Sequence, residues 1–325
     1  MMRMPAEFAP HERTVMCWPS RTGLYNHRIG EAKRAHATVA KTISGFEPVT
    51  MIANAEDVSE AESLCSGSVS VVSLPIDDSW FRDSGPTYVV DDSQREGTCW
   101  EFNGWGNKFV PYDNDARIAS AWLQWRGESA RHIDMVLEGG SINVDGAGTL
   151  VTTEQCLLHE NRNPSMSREQ IADRLCEELG QQRVVWLPYG LSLDDDTDGH
   201  VDNVAAFCAP ETVVLQGCDD PREEDHGRCA ANRVAAERAG LAIREVPVLP
   251  FIVSGGRRMV VPYLNFYVVN GGVIVPLCGH AADDDMMALI GEWFPNRQIV
   301  GLEVGEILAY GGGGIHCITQ QIPAL

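Results

Sequence analysis

Short apolar runs alternate with longer amphipathic stretches along this chain, and that alternation confines it to an α/β fold. VTMIA from Val49, VSVVSL from Val69, PTYVV from Pro86, TLVTT from Thr149, RVVWL from Arg183, TVVLQ from Thr212 and GVIVP from Gly272 read as strands. The stretches 29–46, 56–65, 115–125, 168–179, 221–239 and 283–294 carry apolar residues at mixed three- and four-residue spacing, which predicts helices. Ser167 followed by Gln170 predicts a capping box, Gly180 a helix end and Pro221 a first helical position. The order strand, strand, helix, strand recurs at irregular intervals, which suits several α/β modules better than one doubly wound sheet. No Ser/Gly-rich or charge-block linker divides the chain, which predicts a single domain over 1–325.

Charge narrows the partners. Lys and Arg total 25 against 46 Asp and Glu, a formal net charge of −21 that repels a nucleic acid backbone. The same field attracts a cationic small molecule, although an acidic surface also serves solubility alone. Prolines and acids occupy the first residues, where a secretory signal needs an apolar core, and no stretch nears the roughly 18 apolar residues of a membrane span. A cytoplasmic chain without a membrane partner is the expectation. Ten cysteines with no CxxC pair fit neither a zinc ribbon nor a disulfide-stapled miniprotein, so the question becomes which thiol is activated.

Four polar segments bracketed by glycine stand at strand ends: Trp80–Pro86, Glu138–Ser141, Asp196–Asn203 and Gly311–Cys317. Loops at such ends bring backbone close to ligands, and together these supply a thiol, histidines and carboxylates. Cys317 follows four consecutive glycines, an entropically costly arrangement that implies close approach, although a cysteine is often just a small buried hydrophobe. His316 points to the opposite face if the strand is extended, which assigns it a structural role. His200 and Asp202 share a face if their segment is extended. A metal site is the competing reading of His200 among Asp196, Asp198 and Asp202. A calcium loop from Asp194 lacks its twelfth-position acid, which is Ala205 here.

Asp83 and Glu138 complete the acidic set. Carboxylates converging on one pocket raise one another's pKa unless a cation sits among them, and a planar guanidinium suits paired carboxylates through bidentate hydrogen bonds. Taken singly, either acid at a strand end is usually a solvated loop residue or a cap, and it is their combination that points to a cation.

These segments resemble agmatine deiminases, members of the guanidino-group-modifying superfamily that includes bacterial peptidylarginine deiminases and arginine deiminase. The resemblance begins at MPAEFAPHERTVMCWPSR from Met4 and continues through WFRDSGP from Trp80, LEGGSINVDGAGTLVTTEQCLL from Leu137 and NRNP from Asn161. It then takes in GHVDN from Gly199 and NFYVVNGGVIVP from Asn265, and ends in IHCITQQIPA from Ile315. It implies a five-bladed α/β propeller, or pentein, of ββαβ modules around a central channel.

By the same resemblance Cys317 is the nucleophile, His200 the general acid and base, and Glu138 the residue that orients His200. Asp83 and Asp202 bind the guanidinium, Trp80 forms a wall against it, and Asp196 meets the substrate's distal amine. The implied reaction is hydrolytic deimination of agmatine to N-carbamoylputrescine and ammonia through an amidino-thioether on Cys317, with no metal or organic cofactor and with a homodimer as the assembly. The chain departs from the family at Asp198 and Gly314, where Asn is usual, and at Leu277-Cys278-Gly279-His280, where Gln-Phe-Gly-Asp is usual. Asp198 is read as favouring a diamine-like tail or facing solvent. Alternatives are deimination of arginine or a peptidyl arginine, which calls for a cation near Asp196 that the sequence does not reveal, amidino transfer to an amine, and a non-catalytic polyamine-binding propeller.

Overall fold

The computed structural model describes residues 2–325, whose strands form six sheets. Five of these repeat one topology, in which an antiparallel pair is followed by a parallel partner. In the sheet of Thr87–Val90, Arg95–Glu101 and Ala130–Val136, the parallel crossover is made by helix Asp115–Arg126. Helices Arg168–Leu179, Glu224–Arg238 and Asp283–Trp293 make the equivalent crossovers in three other sheets. In the fifth, Thr319–Pro323 pairs antiparallel with His11–Cys17, which runs parallel to Val49–Ala53 across helix Ile29–Ile43. The two ends of the chain therefore share one sheet. The sixth sheet is a hairpin of Phe251–Ser254 and Arg257–Val260.

All six predicted helices form. Ser167 accepts from the Gln170 N–H and Gln170 reaches back to the Ser167 N–H, while Gly180 ends the helix at φ +63°. The intervening face buries Ile171, Leu175 and Leu179 at a spacing of four. The helix expected from Pro221 instead begins at Glu224, because Asp220 accepts the Arg222 N–H and holds Pro221 in a turn. The helix expected over 29–46 stops at Ile43.

All seven predicted strands are present, but eleven others escaped notice. Thr319–Pro323 is polar yet buried along its whole length, and Ala242–Val246 sets Arg244 and Glu245 side by side, which breaks any apolar/polar alternation beside its buried partner. No helix among the described residues is long and apolar enough to cross a membrane.

The repeat positions the loops. Each of the four glycine-bracketed segments leads, directly or after one residue, into the first strand of a different sheet: Thr87–Val90, Ile142–Val144, Ala205–Ala209 and Thr319–Pro323. Asn265 holds the same place before Tyr267–Val269 in the remaining sheet of this topology.

Candidate active site

Side chains from all five loops meet. Gly140 marks the convergence, since a Cβ there would lie 2.7 Å from Asp83 Oδ1 and His200 Nδ1 and 3.1 Å from Asp202 Oδ2. Asp202 Oδ2 in turn lies 3.4 Å from Cys317 Sγ, and the Asn265 amide nitrogen 3.2 Å from the same sulfur. Asp83, Glu138, His200, Asp202 and Cys317 are all buried. A cleft opens onto two of them, Asp83 and Cys317, with Trp80, Trp105 and Asp196 also in its walls.

Local structure explains the placement. Cys317 follows a glycine run in which Gly312 adopts φ +105°, a conformation L side chains avoid, and Gly313 lets the Trp80 ring approach where a Cβ would stand 2.5 Å from it. His200 and Asp202 converge through the 3₁₀ turn Val201–Asn203, not through the extended segment expected. Asp194 fixes that loop by accepting the Thr197 and His200 backbone N–H groups, so it organises backbone instead of joining a ligand set.

Each charge has an identifiable environment. Asp83 accepts from the Gly140 N–H and the Trp105 indole, both at 2.9 Å. Burial raises its carboxyl to about 6, with Asp202 and Glu138 adding to the rise and His200 opposing it. Burial opposes the His200 charge, but Asp83 at 3.7 Å, with Cys156 and Glu138, holds the imidazole well above its usual range. Glu138 Oε2 lies 3.9 Å from His200 Nε2, an ion-pair distance beyond hydrogen bonding. Burial, then Asp202 and Asp83, push the Cys317 thiol far up.

The acids were expected to await an external cation, and three prove to have one already. Arg162 lies 2.7 Å from Glu138 and His316 2.9 Å from Asp202. Asp198 neither faces the tail nor solvent. It pairs with Lys108 at 2.6 Å and Arg162 at 2.7 Å, and despite partial burial these bonds, with one from Asn161, lower it to about 2. Asp83, raised to about 6, is the acid of this cluster with most need of another positive charge.

Asp196 also differs from expectation, because cations do stand near it. Arg257 is 3.6 Å away, and Lys108 bonds the Asp196 carbonyl at 3.4 Å. Residues the sequence reading passed over include Asp78 in the cleft wall, Trp105, Asn265, Arg162 and Cys156. Their only sequence signal was membership of the quoted stretches LEGGSINVDGAGTLVTTEQCLL for Cys156, NRNP for Arg162 and NFYVVNGGVIVP for Asn265. Glu138, Cys156 and His200 present atoms within 4.8 Å of one another, a set that can ligate a soft divalent ion. Arg162 already supplies positive charge there, and burial pushes the Cys156 thiol up.

The model of the Porphyromonas-type peptidyl-arginine deiminase family matches residues 3–323. The chain belongs to this family. Its relatives include an agmatine deiminase of Stutzerimonas stutzeri, 41% identical over 352 aligned positions, covering 99% of this chain and 95% of that one. An agmatine deiminase structure from Enterococcus faecalis superposes with a TM-score of 0.95 at 32% identity, covering 99% of this chain and 96% of that chain. A cysteine-to-serine variant of the C. jejuni agmatine deiminase, with substrate bound, gives a TM-score of 0.94 at 27% identity, covering 100% of this chain and 97% of that one.

Proposed function

We propose that the chain hydrolyses agmatine to N-carbamoylputrescine and ammonia. The observation that carries the reading is the meeting of Asp83, His200 and Asp202 around Gly140, with Cys317 beside Asp202 at the end of a cleft. The cleft is narrow, partly aromatic and acidic, as a flat cation with an aliphatic tail requires.

Asp83 and Asp202 take the guanidinium N–H groups, and Trp80 lies along the cation's face. The arriving charge offsets the carboxylates that oppose ionisation of Cys317, so the thiol gives up its proton to solvent and the thiolate forms where its target is already bound. Sulfur attacks the guanidinium carbon. His200 donates a proton to the departing nitrogen, ammonia leaves, and an amidino-thioether remains. His200 then takes a proton from water, whose oxygen adds to the same carbon. The C–S bond breaks, the thiolate returns, the added hydroxyl loses its proton to solvent and the neutral ureido group is released. Glu138 maintains the charge of His200 across their 3.9 Å separation.

The five repeated sheets are proposed as blades of a propeller whose channel holds this site, the whole chain serving as one catalytic domain. Ten free cysteines favour work in a reducing compartment such as the cytoplasm. A second reading, deimination of arginine, draws support from Arg257 beside Asp196, because a cation there suits a tail carboxylate. Incubation with agmatine, arginine and an arginyl peptide, reading ammonia and ureido product, tests both. Agmatine is expected to be turned over fastest, and arginine turnover with none of agmatine overturns the first reading.

A further inference from the structure

His316 was set aside as structural, yet its ring spans the two sides of a buried charge chain. Nδ1 lies 2.9 Å from Asp202 Oδ2 and Nε2 lies 2.8 Å from Glu7 Oε2. Ionised carboxylates only accept, so a ring bridging two of them donates from both nitrogens and is an imidazolium. Glu7 is itself anchored, accepting the Val268 N–H at 2.9 Å and facing the Arg82 guanidinium at 3.1 Å. Arg82 is held by Gln321 at 2.9 Å and by the His316 carbonyl at 3.3 Å. Every member is buried or nearly so, and Asp202 Oδ1 is left as a buried oxygen without a partner.

We propose that His316 is a positioning residue for deimination, a fixed imidazolium that Glu7 clamps in place to hold Asp202 ionised, with one oxygen committed and Oδ1 free for the substrate's guanidinium. The charges facing this ring are Glu7 and Asp202, which favour its cationic form, and Arg82, which opposes it; Asp202 also faces His200 and the Cys317 thiol. Their directions agree. Glu7, despite burial, is lowered to about 2 by His316 and Arg82, and Asp202 is likewise lowered, His316 contributing most. Without the imidazolium, Asp202 becomes an uncompensated buried acid next to Asp83 and takes up a proton at higher pH.

The proposal rests on Asp202 as a guanidinium ligand, so Asp202→Asn is measured beside His316→Gln and Glu7→Gln. His316→Gln is expected to raise KM for agmatine about ten-fold or more, the worth of a charge-assisted bond, with a smaller change in kcat. The acid limb of kcat/KM should move to higher pH and steepen from one proton toward two, as Asp202 titrates alongside Asp83. Glu7→Gln should shift the limb the same way by less, and the double variant should be no worse than His316→Gln alone. A limb superimposable on that of the unsubstituted protein in both His316→Gln and Glu7→Gln overturns the proposal. If His316→Gln does not fold, as judged by circular dichroism, Glu7→Gln decides alone. An Asp202→Asn protein with full activity removes Asp202 from the site, a failure distinct from that of His316.

Discussion

Arg162 Nε sits 2.7 Å from Glu138 Oε1, and neither side chain has any exposure to solvent. Glu138 therefore stays ionised in the interior, held below its usual range against burial by Arg162 and His200. Removing one member of a buried pair strands the other, at a cost of about 3–5 kcal/mol. Arg162→Met is expected to lower stability by that amount in a urea titration and to abolish turnover. A loss below about 1 kcal/mol would show that Glu138 does not depend on this partner.

Gly140 leaves room for nothing larger. A methyl group there would contact Asp83, His200 and Asp202 within 3.1 Å, pressing on the three groups proposed to hold the guanidinium and to protonate its departing nitrogen. Gly140→Ala should keep its fold, as read by circular dichroism, while kcat/KM falls about a hundred-fold, because misplacement by about 1 Å is costly to chemistry. Near-normal kinetics would place the reacting carbon elsewhere.

The pH dependence follows from Asp83. Its carboxyl, raised to about 6, must be ionised to meet a cation, so kcat/KM should fall as pH drops through about 6. A bound guanidinium favours the ionised form, so the acid limb of kcat should lie at lower pH than that of kcat/KM. Stopped assays from pH 4.5 to 9 test both, and identical limbs would argue against a cation contacting Asp83.

The sulfur and the imidazole are expected to be indispensable. Cys317→Ser and His200→Ala should each reduce ammonia release by about a thousand-fold or more, with unfolding midpoints near that of the unsubstituted protein. Cys278→Ser should leave rates unchanged. Its thiol, pushed up to about 11 by burial and Asp283, is both uncharged at neutral pH and outside the cleft walls. Inactivation by Cys278→Ser alone would reassign the nucleophile.

At the proposed tail site, Arg257 competes with a substrate amine for Asp196. Asp196→Asn should raise KM for agmatine about ten-fold with little change in kcat, since the distal amine is remote from the bond that breaks. Arg257 is about half exposed, and its bond to Asp196 is long at 3.6 Å. Arg257→Ala should therefore lower KM only about two- to three-fold. A rise in KM on that substitution, together with loss of arginine turnover, would instead favour the carboxylate-tailed substrate.

Much of this was legible in the sequence, and the reasons are local. Helix positions follow from i, i+3, i+4 patterns that any observer of Ile171, Leu175 and Leu179 can read, and Ser167 with Gln170 marks a boundary within four residues. The glycine-bracketed segments were conspicuous because backbone approach to Trp80 or His200 leaves room for no side chain at Gly313 or Gly140. Polar strands such as Thr319–Pro323 were not legible, because partners over three hundred residues away, in His11–Cys17, determine their burial.

The sequence by itself determined the residue types, the α/β alternation and the four loops that deliver a thiol, an imidazole and acids. Only the tertiary structure decided which acids are already neutralised, for Arg162 on Glu138, His316 on Asp202 and Lys108 on Asp198 are pairings between separate segments. The physical reason is that Coulomb energy in a buried site depends on separations of a few ångströms, and a linear order of residues carries no such distances.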